Sequence, residues 1–441
     1  MPCRTGHSEE KLFTWDVGKY HLKRSGLSDR KKRVLRLRLC LKFFLLLCIL
    51  IPFRLQAQID PVKRQLVQLG YGQPLEGHAP LSGYAFYYFN QPSFIQTNLT
   101  LRLAVAPVYL DSELGFTDLL GPHTDFAIGI NGGGFADSYS EIRSGHYLQE
   151  ESFSGDGGGV SASIYHLFNP DQRIPLNAIL RGSLNYSTYQ RDDRTASGFV
   201  IPEDRPTAVV RAGLRWGGRE PLMMSDAALE LSVWYEGQYR LESGTYGFNG
   251  DRRINPNSHL FWGRALFAYT LPESKHNFSA SLTLGTSANA DRFSAYRLGG
   301  VLPLSSEFSL MLPGYYYQEL SASRFALFNA SYSFPLDAHK RWSITAVAST
   351  ALVDYVHGLN QPGHWNSGVG GGVTYRSYSE AWQVFVGYAH GIDAIRSHGR
   401  GSDSIGILVQ FDLERARGNF YDPGDRTGFA RGFDHLLRTF Q

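Results

Sequence analysis

The sequence predicts an all-β chain closed into a transmembrane, antiparallel, up-and-down β-barrel of 14–16 strands. Three observations predict it. Stretch after stretch alternates strictly between apolar and polar residues, the period of a strand with one apolar and one polar side. The links between these stretches alternate short and long. Beyond residue 57 no stretch is apolar enough to cross a membrane as a helix, yet the 441-residue chain holds 47 Gly, 25 Tyr and 28 Phe.

The strands show two-faced patterning best in the second half of the chain. Phe278, Ala280, Leu282 and Leu284 oppose Asn277, Ser279, Ser281 and Thr283. Ala326, Phe328, Ala330, Tyr332 and Phe334 oppose Asn329, Ser331 and Ser333. Trp342, Ile344 and Ala346 oppose Ser343 and Thr345. One face suits lipid and the other a polar interior, and Trp216, Tyr235, Tyr332, Trp342, Trp382 and Tyr388 stand where aromatic girdles fall. Strands are expected at 82–90, 97–109, 124–134, 157–167, 175–189, 207–216, 226–239, 259–271, 277–287, 321–334, 341–354, 367–377, 382–391 and 404–413, fourteen in all. The region 91–123 breaks the short–long rhythm. A hidden hairpin there, or a strand in 64–73, raises the number to sixteen.

Residues 1–57 form an N-terminal extension plus signal peptide. Arg36, Arg38 and Lys42 precede the apolar run Phe43–Ile51, and Leu55-Gln56-Ala57 offers a cleavage site. Residues 58–81 are expected as a short periplasmic lead, 82–413 as the barrel and 414–441 as a periplasmic tail with a weakly amphipathic pattern. The formal net charge of +3 misleads. The first 57 residues carry 13 Lys+Arg and 4 Asp+Glu; the rest therefore holds 43−13 = 30 basic and 40−4 = 36 acidic residues, about −6. That balance argues against a nucleic-acid partner. Cys3, Cys40 and Cys48 all lie in the extension, so the barrel has no disulfide and no cysteine metal site. His123, His146, His166 and His398 are scattered and lack zinc-ligand spacing. No Gly-x-Ser-x-Gly elbow occurs, and Gly155-Asp156-Gly157-Gly158-Gly159 lacks the strand-and-helix context of a phosphate loop; it reads as a flexible loop entering a strand. The expectation is a non-enzyme with no cofactor and no metal.

Parity places Arg102, Arg181, Arg211, Arg215, Arg264, Arg324, Arg376, Asp125, Glu230, Glu236 and Asp412 toward the lumen. Charges there are tolerable only where wet or paired. They form either a polar pathway with modest anion preference or a ladder of ion pairs inside a plugged barrel, and the mixed signs favour the ladder. The final strand, with Gly406, Val409, Phe411 and Leu413, resembles the recognition signal of bacterial outer-membrane barrels. Gly370, Gly371 and Gly372 inside a strand permit bending or close approach of another segment.

The stretch from Tyr296 carries a further resemblance. Arg297-Leu298-Gly299-Gly300, then a long loop with Leu312-Pro313-Gly314-Tyr315, then five strands beginning at Ser321, is similar to the bacterial surface antigen family. Its members are relatives of outer-membrane assembly factors and two-partner-secretion transporters. The similarity covers about residues 277–413. It implies sixteen strands and a loop directed into the lumen before the last five. It also implies a bacterial outer-membrane location, a monomer in outer-membrane lipid, and dependence on the barrel assembly machinery during biogenesis. Pro313 stands where the transport members carry a loop-tip arginine that makes a lumenal ion pair, and periplasmic polypeptide-binding domains are absent. The functional expectation is protein or solute translocation across, or assembly into, the outer membrane. The alternatives are a passive channel for small polar solutes and a structural or surface-exposed barrel.

Overall fold

The computed structural model describes residues 62–80, 82–106, 109–133, 138–218, 227–300, 308–337 and 341–418. The expected extension and signal, residues 58–61 and 81 of the expected lead, and residues 419–441 of the expected tail lie outside them.

Sixteen strands form one closed antiparallel sheet. They are β1 (Arg64–Pro74), β2 (Ser82–Pro92), β3 (Leu99–Ala106), β4 (Tyr109–Phe116), β5 (Thr124–Gly133), β6 (Phe153–Leu167), β7 (Leu176–Arg191), β8 (Arg205–Gly218), β9 (Ala227–Arg240), β10 (Asn257–Thr270), β11 (Asn277–Ala288), β12 (Leu320–Pro335), β13 (Trp342–Tyr355), β14 (Trp365–Arg376), β15 (Trp382–Arg396) and β16 (Gly399–Asp412). Each pairs with its sequence neighbour, and β1 pairs with β16 from Leu66↔Asp412 to Pro74↔Ser404. That last pairing leaves no open edge, which a sheet in hydrocarbon requires because lipid cannot satisfy backbone N–H and C=O groups.

Both additions to the fourteen expected strands are present, where the expectation offered them as alternatives. β1 occupies most of the expected lead, 58–81, which is thereby corrected. Its two glycines and terminal proline hide an ordinary alternation: Leu66, Gln68 and Gly70 face inward while Leu69 and Tyr71 are exposed. The expected 97–109 strand is two shorter ones, because the chain reverses between Ala106 and its partner Tyr109. Both are needed: an odd number of added strands would leave the first and last strands parallel. The glycine run 155–159, expected as a loop, is part of β6. Here Gly159 is enforced, since a Cβ would sit 2.2 Å from both the Leu184 carbonyl and Asn185 Oδ1.

The outer surface is an apolar belt that includes Leu184, Leu214, Val233, Leu282, Phe328, Ile344, Val386 and Ile407, all exposed. Trp342, Tyr375 and Trp382 pack in tilted contact at one rim, with ring centres 4.8 and 5.2 Å apart. A closed sheet with such a belt is a bacterial outer-membrane barrel. The inner wall has two halves. From β3 to β10 it carries charges. From β11 to β16 it is mostly uncharged, apart from Arg376 and Arg396, and Ser279, Ser281, Asn329, Ser331, Thr345, Ser349 and Gly370 line one hollow.

Long connections gather at one end, together with the tight β15–β16 turn between Arg396 and Gly399; the start of β1 and the end of β16 lie at the other, with further short turns. After β16, Asp412 Oδ1 accepts the Glu414 and Arg415 N–H groups at 3.1 Å each. This caps a short helix, α1 (Leu413–Gly418). Gly406, Val409 and Phe411 sit in the seam strand, opposite Gly72, Leu69 and Val67, while Leu413 opens the helix.

The seam register is directly testable. Leu69→Cys with Val409→Cys, which face each other across β1 and β16, should form a disulfide in membranes on mild oxidation. The displaced pair Leu69→Cys with Ile405→Cys should not, because a disulfide needs Cα atoms within about 7 Å. Absence of the first crosslink would place the seam elsewhere.

Candidate functional site: the inward loop and the charged lumen

The connection between β11 and β12 does not project from the rim. It turns back on itself and enters the lumen. Tyr296–Leu298 adds a short strand beside Leu320–Ala322, and Gly299 N–H then bonds to Leu310 O at 3.0 Å and Leu312 N–H to Gly300 O at 3.1 Å. The glycine pair is required for this turn. Gly299 and Gly300 have φ of +135° and +78°, and a Cβ on Gly299 would lie 2.2 Å from Tyr316 O.

The loop tip rests on bare wall. A Cβ on Gly368 would meet Pro313 O at 2.1 Å, and one on Gly314 (φ +81°) would meet Gly391 N at 1.9 Å. The loop's close approach falls on Gly368 and Gly391; at Gly370, Gly371 and Gly372, where it was expected, a Cβ would meet neighbouring strands instead. Around the tip, Leu298, Leu312 and Tyr315 pack with Leu320, Phe325, Leu327, Ala351, Val353 and Ala394. Each fully buried leucine contributes about 1.5–3 kcal/mol. The apolar cluster is therefore what makes the seat stable.

A buried ion pair fixes its position. Arg396, at the end of β15, donates to both Glu319 carboxylate oxygens, at 2.8 and 3.0 Å. Its Nε donates to Ser402 Oγ at 2.9 Å, and its guanidinium lies 3.7 Å from the Tyr316 ring centre. The two side chains are 2% and 0% exposed. Glu319 also accepts the Tyr316 N–H at 2.7 Å, and Tyr316 donates to Glu76 O between β1 and β2 at 3.0 Å. The loop is thus tied to the β1–β2 and β15–β16 corner beside the seam. Sequence reasoning missed both members. Pro313 had removed the arginine expected at the tip; here the loop supplies the acid and the wall the arginine.

On the opposite half of the lumen the expected charges pair off. Arg102 donates to Glu113 (2.6 Å) and Asp111 (3.3 Å), and Arg181 to Asp111 (2.7 Å). Arg211 reaches Glu236 at 2.7 Å, and Arg264 reaches the buried Glu230 at 2.6 Å, with Arg215 on the same inner face. Arg376 lies near Glu380 at the turn end (4.0 Å). Asp125 accepts the Asp118 N–H at 2.9 Å. This is the ladder arrangement, built as cross-strand pairs. Asp111 and Glu113 were not anticipated, because β4 was not recognised. Arg324 is a correction. Its parity is that of Phe328, so it points outward; its side chain is 69% exposed and 3.8 Å from Asp354.

Above the lumen the long connections fold into a cover. Its centre is an aromatic group of Tyr139, Phe153, Tyr189, Phe199, Tyr246 and Phe293, with ring centres 5.5–6.3 Å apart among those in contact. Buried Glu141 accepts from Tyr139 Oη (2.6 Å) and Arg292 Nε (3.2 Å), and Glu151 is held between Arg143 and Arg252. Burial pulls the Arg252 guanidinium below its ordinary pKa, with Glu141 opposing, and pushes the Tyr139 hydroxyl well up, with Arg297 opposing. Arg297, the motif arginine, lies 4.9 Å from the Tyr139 ring centre and donates to Gln318 O (3.2 Å) and Ser140 O (3.0 Å). It joins loop to cover.

No family model and no curated protein matches the chain. Solved structures do. The chain is similar to CdiB from Acinetobacter baumannii, with a TM-score of 0.52 at 10% identity over 79% of this chain and 60% of that one. It is similar to BamA from Haemophilus ducreyi lacking POTRA domains 1–3, at 0.49 and 12% over 80% and 70%. Pseudomonas aeruginosa OccK11 aligns at 0.32 and 11%. The chain spans 60% of the CdiB chain, and likeness at this identity is one of fold: these are outer-membrane barrels.

Removing one member of the lock leaves the other charged and buried. Glu319→Ala should therefore destabilise the folded barrel by about 3–5 kcal/mol in urea titrations. Arg396→Ala added to it should cost much less than the sum of the single losses. Additive losses would mean the two groups do not interact.

Proposed function

We propose that the protein is a translocation-type outer-membrane barrel of the surface antigen type, a conduit held shut by the loop between β11 and β12. The single observation that carries this reading is the seat of that loop: glycines cleared for its tip, an apolar cluster around it and the Glu319–Arg396 pair beside the seam. A loop meant only to narrow a pore has no need of a buried, fully bonded charge pair, whose desolvation is costly. A pair of that kind gives one position and a defined release. The fold likeness to CdiB supports the same reading.

In this reading the long connections face outside and the strand termini face the periplasm. Protein or another extended polymer passes when the loop leaves its seat. The chain works as a monomer in outer-membrane lipid, is inserted by the barrel assembly machinery, and performs no catalysis. The passive-channel reading is disfavoured by the aromatic cover and the seated loop, which both obstruct the lumen.

The test uses charge reversal in cells. Glu319→Arg puts two guanidinium groups in the lock and should expel the loop. Cells carrying it at normal surface levels should become several-fold more sensitive to a large hydrophilic antibiotic that the outer membrane excludes. Arg396→Glu should act likewise, and the double reversal should restore resistance. Unchanged sensitivity in both single variants would overturn the reading.

A further inference from the structure

The inward loop touches the lumen wall at a second place, away from its tip. Trp234 on β9 and Trp262 on β10 are direct cross-strand partners and share the parity of the lumen-facing Glu230 and Arg264. Their rings lie 6.2 Å apart and within 10° of parallel. Trp234 lies against Gly213 of β8, where a Cβ would meet its Cε3 at 2.3 Å. Arg264 is held in place by Glu230, to which it donates at 3.0 and 2.6 Å. The Arg211 guanidinium lies 5.8 Å from the Trp262 ring centre. Strands β8, β9 and β10 thus build a seat of two indoles and a fixed guanidinium from wall residues alone.

Phe308 of the loop fills this seat. Its ring centre is 5.3 Å from that of Trp234 and 5.5 Å from that of Trp262, edge to face with both, at 65° and 72°. The Arg264 guanidinium lies 4.8 Å from the Phe308 ring centre. Each contact uses a property that only an aromatic ring has. The positive ring edge suits an indole face, and the negative ring face suits a cation. An aliphatic side chain offers neither. The occupant therefore shows what the seat selects, a phenyl-type ring. The two holds on the loop also differ in kind. The tip is held by several buried leucines and the Glu319–Arg396 pair, whereas this limb is held at the wall by one ring. Phe308 is the end that yields to a competitor.

We propose that the Trp234–Trp262–Arg264 seat recognises phenylalanine-type side chains of a polypeptide entering the barrel, and that Phe308 is its built-in competitor. An extended segment presents every second side chain to one side. A phenyl ring on that side takes the place of Phe308 and frees this limb of the loop. A segment without aromatic residues leaves Phe308 seated. The identity of the occupant as cargo rests on the conduit reading above; the chemistry of the seat does not.

Tryptophan fluorescence of the refolded full chain in detergent micelles tests the seat, with N-acetyl-L-phenylalaninamide as the probe beside N-acetyl-L-leucinamide. Phe308→Ala vacates a ring-sized apolar space, and such spaces bind aromatic molecules. In that variant the phenylalanine probe should give a saturable change with a Kd of about 10 mM or below. The leucine probe should bind at least about threefold more weakly. The wild-type chain should bind the phenylalanine probe at least about tenfold more weakly than the variant, because Phe308 competes. Trp262→Leu added to Phe308→Ala, with Trp234 left as reporter, should weaken binding by a further tenfold or so, both variants being checked for native heat-modifiable migration. No saturable change in folded Phe308→Ala, equal binding of the leucine probe, or wild-type binding as tight as the variant's would overturn the assignment. The two readings fail separately: an intact protein that conducts steadily removes the shut conduit and leaves a positive titration standing, and a failed titration removes the seat and leaves the shut conduit.

Discussion

Everything in this chain depends on closing a sheet whose surroundings offer no hydrogen bonds. Lipid cannot satisfy a strand edge, so β1 and β16 must meet, and their nine paired positions form the seam. Closure dictates the even number of strands. It also dictates the alternation, since every residue must face either hydrocarbon or lumen. Sixteen strands enclose more space than wall side chains alone fill. The interior must be flooded, paired or filled, and here different parts of the wall use different solutions.

From β3 to β10, pairing prevails. Arginines and carboxylates meet at hydrogen-bond distance, on neighbouring strands or, for Arg181 and Asp111, across two intervening ones, so these desolvated charges have counter-charges and the wall is stiffened across strands. From β11 to β16, filling prevails. Small residues and glycines clear the wall, and the loop between β11 and β12 lies against it. The magnitudes separate two roles. Several buried leucines and aromatics supply the favourable free energy. The Glu319–Arg396 pair adds little net stability and much positional definition. It also ties the loop to the corner where the chain's first and last strands join.

Much of this was legible in the residues. Alternation located thirteen strands, eleven of them to within about four residues at each end, because a lipid-facing side cannot tolerate polar substitutions; β15 and β16 run five residues further than expected, into a tight turn. The glycine pair 299–300 and the Pro313-Gly314 tip were recognisable because positive φ and close backbone contact demand specific residues. β1 escaped because Gly70, Gly72 and Gln68 weaken its pattern. β4 escaped because a reversal between Ala106 and Tyr109 merges two short strands into one apparent long one. Arg324 was misplaced even though its neighbours Ala326 and Phe328 share its parity. The lock was invisible for a different reason. Glu319 and Arg396 are 77 residues apart, and nothing local marks either as buried. Only the folded arrangement of loop, corner and wall brings them together.

If the inward loop keeps the barrel shut, removing its tip must open a conducting path. Single-channel conductance of the intact, refolded protein in a planar bilayer tests it most directly, measured beside a variant lacking Met311–Tyr315. The intact protein should be silent and the variant should conduct. Steady conductance from the intact protein would contradict it and make the molecule an open pore.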